Sequence, residues 1–164
     1  MKRNILTLII AVFALTQAAA QTYDNLWKQA DIIARKDQPR SEIGVMKKII
    51  SKASAAKDYG QLLAAEMRQM ILWKEISADS LTPNVERMEA EVLKVKDPAL
   101  KAVRYAVLGK VYSDMDEKKS QEFFKKALEQ PELLAKHTST EYVPLTLKGV
   151  DGSSFNNDLL HLIG

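Results

Sequence analysis

The chain has 164 residues, of which 46% are hydrophobic and 27% charged. This balance is typical of one globular domain that buries its own core, and it excludes a disordered chain. The formal net charge is only +3, which argues against nucleic acid as a partner because phosphate binding needs concentrated positive charge. Cysteine is absent, which excludes disulfides, thiolate metal sites, thiol nucleophiles and an acylated amino-terminal cysteine.

Residues 1–20 have the pattern of a secretory signal peptide. Lys2 and Arg3 precede an apolar run over residues 5–15 that Thr7 alone interrupts, and alanines at positions 18–20 supply the small residues that a signal peptidase needs. The run is shorter than the roughly 20 residues that span a bilayer, so a retained anchor is less favoured. We predict export to a periplasmic or extracellular location, with a soluble mature chain beginning at residue 21 or 22.

Six stretches of the mature chain repeat their apolar residues at spacings of three and four, as one face of an α-helix requires. The predicted helices cover residues 24–36, 41–53, 59–76, 85–95, 99–112 and 119–136. Asp24 and Ser41 are the predicted caps of the first two helices. Pro83 and its polar neighbours predict a loop over residues 77–84, and Pro98 suits the first turn of the fifth helix.

The fifth and sixth helices carry a set of residues in a recognisable order. The set comprises Tyr105, Leu108, Gly109, Tyr112, Phe124, Lys126, Ala127, Leu128, Glu129 and Pro131. This order resembles a tetratricopeptide repeat, with Ser120 in place of the usual Ala and Pro131 one residue early. Together with six helices joined as hairpins, the resemblance predicts an all-α fold, an α-solenoid of about three tetratricopeptide-like hairpins over residues 21–137.

Residues 138–164 are predicted to form a short extended or irregular tail, or the start of a following domain. The residues that favour an extended segment are Tyr142, Val143, Leu145 and Leu147, with Pro144 making it irregular. A turn is predicted over residues 149–154. The apolar cluster over residues 155–163 has no obvious place inside a helical array, so we expect it to dock on a partner. Deleting residues 141–164 should then leave the helix content nearly intact.

Several short sequences support a second resemblance. They are Tyr-Asp-Asn-Leu-Trp-Lys at 23–28, an Asp-Gln-Pro break at 37–39, Tyr-Val-Pro-Leu at 142–145 and Phe-Asn-Asn-Asp-Leu-Leu-His at 155–161. With the signal peptide, this arrangement resembles the N-terminal region of large exported bacterial proteins of the alpha-2-macroglobulin family. That family traps proteases through macroglobulin domains and a Cys-containing thioester. A chain without Cys cannot contain the thioester, so the resemblance implies a truncated or separately encoded relative of the helical region.

No residue pattern indicates a reaction, and we predict no enzyme, no cofactor and no metal site. His137 and His161 lack further ligands at a convincing spacing, apart from Asp158 three residues before His161. The acidic residues Asp79, Glu86, Glu89 and Glu91 alternate with Arg87 and Lys94, as on a solvated helix face. The lysine pairs at 118–119 and 125–126 are neutralised by Glu117, Glu122 and Glu129.

The larger apolar side chains admit two interpretations. Trp27 and Trp73 fall at helical spacing with aliphatic residues, so core packing is favoured over a role as ligand platforms. Methionine is adaptable enough to line a peptide groove, although core filling explains most of these residues equally well. The methionines in question are Met46, Met67, Met70, Met88 and Met115.

The predicted function is that of an exported, non-enzymatic helical scaffold that binds a protein partner or the rest of a larger assembly. Outward positions of the first, third and fifth helices, and the terminal apolar cluster, are the candidate contacts. They are Asn25, Gln29, Gln69, Arg104, Lys110, Phe155, Leu159, Leu160, Leu162 and Ile163. The alternative is a small exported hydrolase or ligand-binding protein, which would hold His137 or His161 beside a carboxylate in a deep pocket. A protease inhibitor without a thioester rests on the family resemblance alone.

Overall fold

A computed structural model describes residues 22–146 and 156–164, so the predicted signal peptide and Phe155 lie outside the described residues. The described chain consists of helices packed on one another and contains no β-strand, which confirms the all-α prediction. In chain order the helices are α1 (Tyr23–Ala34), α2 (Pro39–Ala56), α3 (Tyr59–Ile76), α4 (Ala78–Val92), α5 (Pro98–Tyr112), α6 (Glu117–Ala127), α7 (Pro131–Leu134), a 3₁₀-helix (Ser139–Tyr142) and α8 (Leu159–Ile163).

Side-chain caps and prolines set most of the helix starts. The Asp58 carboxylate accepts a hydrogen bond from the Gln61 N–H at 3.2 Å, and the Asp97 carboxylate accepts one from the Leu100 N–H at 2.8 Å. Pro98 occupies the first turn of α5, as predicted. The first two predicted caps are wrong: Thr22 caps α1, and α2 begins at Pro39 with no side-chain cap.

Helix α4 corrects the prediction of a loop over residues 77–84. It begins at Ala78 and contains Pro83 within it. Its apolar side chains at spacings of four and three are buried together, and they include Leu81, which the loop prediction passed over. The Asn84 side-chain amide also donates to the Ser80 carbonyl oxygen at 2.9 Å. Burial of Leu81 favours helix strongly enough to offset the hydrogen bond that Pro83 cannot donate.

The sixth predicted helix is two helices in the structure. Helix α6 ends at Ala127, and Pro131 occupies the first turn of α7, which ends at Leu134. A proline with no N–H fits the start of a helix better than its interior. The prediction of one helix reaching residue 136 was therefore wrong in its length.

Each helix from α1 to α5 packs on the next one along the chain, and α3 also contacts α5. Gly109 explains how α5 and α6 approach so closely, since a Cβ there would lie 2.9 Å from Cδ2 of Phe124. The Ser120 hydroxyl donates to the Gly109 carbonyl oxygen at 2.8 Å. The serine that departs from the repeat pattern therefore adds a buried hydrogen bond between these two helices.

Three apolar clusters form the core of the described part of the chain. One joins α1, α2 and α3 around Met46 and Ile49. Another joins α3, α4, α5 and α6 around Met88 and Leu108. The third, which we call the tail cluster, consists of Leu63, Leu100, Ala102, Val103, Leu134, Tyr142 and Leu159. The tail cluster shows that the C-terminal residues are part of the core of this chain.

The terminal segment thus differs from the prediction. Leu159 is only 1% exposed, so the expectation that the terminal apolar residues find no place in the helical array was wrong. The Leu159 N–H donates to the His137 carbonyl oxygen at 3.0 Å, and Thr138 forms an antiparallel bridge with Asp158. These bonds hold α8 beside the end of α7.

The extended segment predicted from residue 142 is also absent over its described part. Tyr142 ends the 3₁₀-helix, residues 143–146 form a turn, and Leu147 lies outside the described residues. A capping box between Thr138 and Glu141 stabilises the 3₁₀-helix, and burial raises the pKa of the Tyr142 hydroxyl to about 12, with the negative charge of Asp97 adding to the rise. Gly60 leaves room for this turn, because a Cβ there would lie 2.6 Å from the Tyr142 carbonyl carbon.

Candidate partner-binding groove

An apolar depression lies between α1, α3 and the turn after the 3₁₀-helix. Its volume is about 450 Å³. Helix α1 contributes one wall, α3 the floor and the turn the other wall. The residues that line it are Trp27, Asp31, Ala64, Met67, Arg68, Ile71, Pro144 and Leu145.

A second depression continues the first along α3 towards α4 and α5. Its volume is about 230 Å³, and it is lined by Met67, Met70, Ile71, Lys74, Leu81, Lys110, Val111 and Asp114. Met67 and Ile71, one helical turn apart on α3, line both depressions. The two therefore form one surface, which we call the α3 groove.

The floor of the α3 groove exposes apolar surface. Ile71 is 46% exposed, although its chain neighbours Met70 and Leu72 are buried in two different core clusters. Met67 is partly buried against one of these clusters, and its unbranched thioether can adapt to ligands of different shape. Burying one apolar side chain of a ligand on this floor would contribute roughly 1.5–3 kcal/mol.

Charged side chains form the rim of the groove. Arg68 is held in place because its Nε donates to Oε1 of the buried Glu42 at 2.7 Å. Lys74 Nζ lies 3.0 Å from Asp114 Oδ2, and this hydrogen bond, with the lysine charge, lowers the pKa of Asp114. Lys110 is exposed beside them. The end of the groove nearest α5 therefore carries two lysines against one aspartate.

One of the predicted contact residues on the helices lies on this groove, namely Lys110. Asn25 is exposed and Gln29 half-buried on α1, and neither lines the two depressions. Gln69 and Arg104 were predicted to face outward, but they are 4% and 7% exposed. That prediction was wrong because Arg104 pairs inside the molecule with Glu66, at 3.3 Å.

The predicted terminal contacts have mixed outcomes. Leu159 is buried in the tail cluster, while Leu160, Leu162 and Ile163 are half-buried. Leu160 and Ile163 pack against the same cluster. Their role in binding a partner stays a prediction, although Leu159 itself is not available on the surface.

Both histidines contact carboxylates on the surface. His137 Nδ1 lies 2.9 Å from Glu141 Oε2, and His161 Nδ1 lies 2.7 Å from Asp158 Oδ1. The hydrogen bond from each histidine is the main reason that the pKa values of Glu141 and Asp158 are lowered. Each carboxylate also caps a short helix, so these pairs stabilise helix ends, and neither histidine lines the α3 groove.

Glu89 on α4 is likewise engaged in contacts between helices. The Tyr112 hydroxyl donates to Glu89, and Lys119 Nζ donates to the same hydroxyl at 3.1 Å. Burial is the main reason that the pKa of Tyr112 is raised, and the bond to Glu89 adds to it. Within residues 22–146 and 156–164, no group of three or more His, Asp or Glu side chains is arranged to hold a metal ion. Nor does any helix there have the length and apolar character of a membrane span.

Both tryptophans pack against the core cluster of α1, α2 and α3. Trp73 follows the core prediction, whereas Trp27 also forms a wall of the groove. Its Nε1 donates to Gln61 Oε1 at 2.7 Å, which fixes the ring between α1 and α3. Met46, Met70 and Met88 are buried, Met67 lines the groove and Met115 is exposed. The sequence offers one signal for the groove, namely the broad apolar face of α3.

No family model, curated protein or solved structure matches this chain.

Proposed function

We propose that this protein is a non-enzymatic helical scaffold that binds an apolar segment of a partner protein in the α3 groove. The observation that supports this most strongly is the exposure of Ile71, beside the half-buried Met67, at the junction of the two depressions. Exposed apolar surface rimmed by charges is typical of interaction sites in folded domains. Binding would cover this surface by complementarity of shape and would require no chemical step.

The dimensions and charges of the groove suggest its occupant. Its two parts have volumes of about 450 and 230 Å³, which suit a few apolar side chains of a short peptide segment. Because Lys74 is already paired with Asp114, Lys110 is the rim cation best placed to meet a ligand carboxylate. The proposed occupant is therefore a peptide segment with two or three apolar residues and one acidic residue.

The tetratricopeptide-like arrangement belongs to the same proposal. The hairpins would be α1–α2, α3–α4 and α5–α6, with their first helices forming the binding surface. Support comes from the contact between α3 and α5 and from the fit of Phe124 against Gly109. All three first helices contribute residues to the groove.

Export and the family relationship are proposed on sequence grounds alone. The signal-peptide pattern of residues 1–20 supports an exported location, and the short sequences quoted above support a relationship to the N-terminal region of bacterial alpha-2-macroglobulin-like proteins. The partner would then be another exported protein or the remainder of a larger assembly. Amino-terminal sequencing of exported protein tests this, since a start at Met1 would contradict it.

The experiment that tests the groove is a selection of random dodecamer peptides, displayed on phage, against residues 22–164. Peptides enriched by the wild-type protein are then measured against Ile71→Lys and Ile32→Lys. These two isoleucines are 46% and 53% exposed on α3 and α1, and Ile32 does not line the groove. Both variants should fold, because neither substitution places charge in the core.

We expect the selected peptides to share two or three apolar residues and one Asp or Glu. Their affinity should fall at least tenfold with Ile71→Lys, because a buried apolar contact is replaced by a charge, and should be unchanged with Ile32→Lys. Lys110→Glu should weaken the acidic peptides selectively. The proposal is refuted if no peptide is enriched, or if the two isoleucine variants bind the enriched peptides equally.

A further inference from the structure

A cleft away from the α3 groove combines three cationic side chains with an apolar floor. It lies where the end of α2 and the start of α3 meet the loop before α5, and its volume is about 510 Å³. Lys57, Lys96 and Arg104 line it, together with Tyr59, Leu100 and Asp97. We propose that this cleft, which we call the basic cleft, binds the oxyanion group of a small organic molecule, either a carboxylate or a phosphate.

Arg104 is the central residue of the basic cleft. Its side chain is only 8% exposed, and Nη1 donates to Glu66 Oε2 at 3.3 Å. Oε2 of a second carboxylate, Glu91, lies 4.0 Å from Nη1. The Nε atom is buried without a hydrogen-bond partner among the described residues.

A guanidinium carries five N–H donors in a planar fork that fits carboxylates and phosphates. One long hydrogen bond to Glu66 satisfies only part of this capacity. Leaving a buried charged donor unsatisfied is costly, so an oxyanion that enters the cleft would gain strong, charge-assisted hydrogen bonds from Arg104.

The charges around Arg104 also favour an anion. Lys57, at the end of α2, and Lys96, in the loop before α5, are both exposed on the cleft wall. The opposing carboxylate of Asp97 is engaged at 2.8 Å with the Leu100 N–H as a helix cap. Burial raises the pKa of Glu66, although the positive charge of Arg104 opposes this rise.

The apolar floor indicates that the ligand is more than an inorganic ion. Leu100 is buried there, and Tyr59 is half-buried beside it. Such a floor would bury an aliphatic or aromatic group attached to the oxyanion. The shared recognition element is the oxyanion, and the size of the cleft limits the attached group to a small one.

The test uses benzoate and phenyl phosphate as probes and benzyl alcohol as their neutral counterpart. Each is titrated at low ionic strength, where charge interactions are least screened, into ¹⁵N-labelled protein of residues 22–164. The reporter is the Arg104 Nε–H resonance, assigned with Arg104→Lys. We expect this resonance to shift with one or both anions and not with the alcohol, and the anion that binds more tightly identifies the source of the oxyanion.

Three variants separate ligand binding from a purely structural ion pair. Lys96→Gln should weaken anion binding about threefold to tenfold by removing a charge from the cleft wall. Lys94→Gln, at an exposed position two residues away that does not line the cleft, should leave it unchanged. Glu66→Gln should tighten binding severalfold, because it keeps a hydrogen-bond acceptor for Arg104 but removes the competing charge.

Circular dichroism of each variant checks that the helices are intact. The inference is overturned if neither anion shifts the Arg104 resonance, if benzyl alcohol shifts it equally, or if Glu66→Gln weakens binding in a folded protein. The last result would mean that the anion does not compete with Glu66 for Arg104, and that Arg104 is therefore not the group that binds it.

Discussion

Replacing Leu159 by alanine tests whether the C-terminal helix is part of the core. Leu159 is 1% exposed and packs in the tail cluster with Leu63, Leu100 and Leu134. Leu→Ala changes at such sites typically cost about 2.7–5 kcal/mol, and the cost is smaller where the site can collapse. Because α8 has only five residues and can shift towards the cavity, we expect a loss of about 2–3 kcal/mol.

The assay is urea unfolding of residues 22–164, followed by circular dichroism, with Leu162→Ala as the matched control. Leu162 lies in the same helix, is half-buried and is not part of the tail cluster. Its replacement should cost less than about 1 kcal/mol. Equal and small effects of the two substitutions would refute the placement of α8 in the core and would restore the terminal segment as a free docking element.

Three further predictions concern backbone contact, charge and hydrogen bonding. Gly60→Ala should lower the melting temperature, because the new Cβ would clash with the backbone of Tyr142 and Val143. Gly44→Ala has nothing within 4 Å of the new Cβ and should be neutral or raise stability by about 0.5–1 kcal/mol. Equal effects of the two substitutions would contradict the close contact between Gly60 and this backbone. The pKa of Glu66 is raised above its ordinary value of 4.5, so the folded chain binds this proton more tightly than the unfolded chain, and the free energy of unfolding should decrease as pH rises from about 4.5 through the raised pKa. Urea unfolding of wild type and Glu66→Gln across this pH range should show that the wild type loses stability relative to the variant as pH rises. A difference that does not change with pH would refute this prediction. Tyr112→Phe should cost about 0.5–1.5 kcal/mol in the same assay because it removes the hydroxyl that Lys119 and Glu89 share; no measurable cost would mean that these bonds contribute nothing net.

The sequence predicted the helices best where local chemistry alone determines them. Helix α3 begins and ends at the predicted residues because its apolar pattern is long and the chain before it carries the capping carboxylate of Asp58. The start at Pro98 was predicted because proline has no N–H to donate and suits a first turn, whereas the starts at Pro39 and Pro131 follow the same rule but were not predicted. These determinants lie within a few residues of each helix end.

The errors arise where distant parts of the chain decide the outcome. Arg104 has the chemistry of a surface residue, and only Glu66, 38 positions earlier, explains its burial. Pro83 indicates a loop until the core contacts of Leu81 are known. The sequence pattern does not show where Leu159 packs, because its neighbours in the tail cluster come from α3, α5 and α7.

The sequence shows the apolar residues that form the α3 groove but does not show that they form a groove. The broad apolar face of α3 is visible in the sequence, but the pattern does not tell which part of that face stays uncovered. Ile71 is exposed because the neighbouring helices cover the two sides of α3 and leave a strip between them. The exposed strip is a property of helix placement, which periodicity does not specify.

The tail cluster has a consequence for the way in which this protein unfolds. In a linear array each hairpin contacts only its neighbours, so the end units can fray independently. Here Leu63 of α3 shares a cluster with Leu134 of α7 and Leu159 of α8, so opening the C-terminal segment uncovers apolar surface near the middle of the chain. The packing of the C-terminal segment on α3 couples α3 to both halves of the molecule, and it favours one cooperative unfolding transition over stepwise loss of hairpins. A ligand held on α3 would accordingly stabilise all the helices together, by an amount that its concentration and affinity determine.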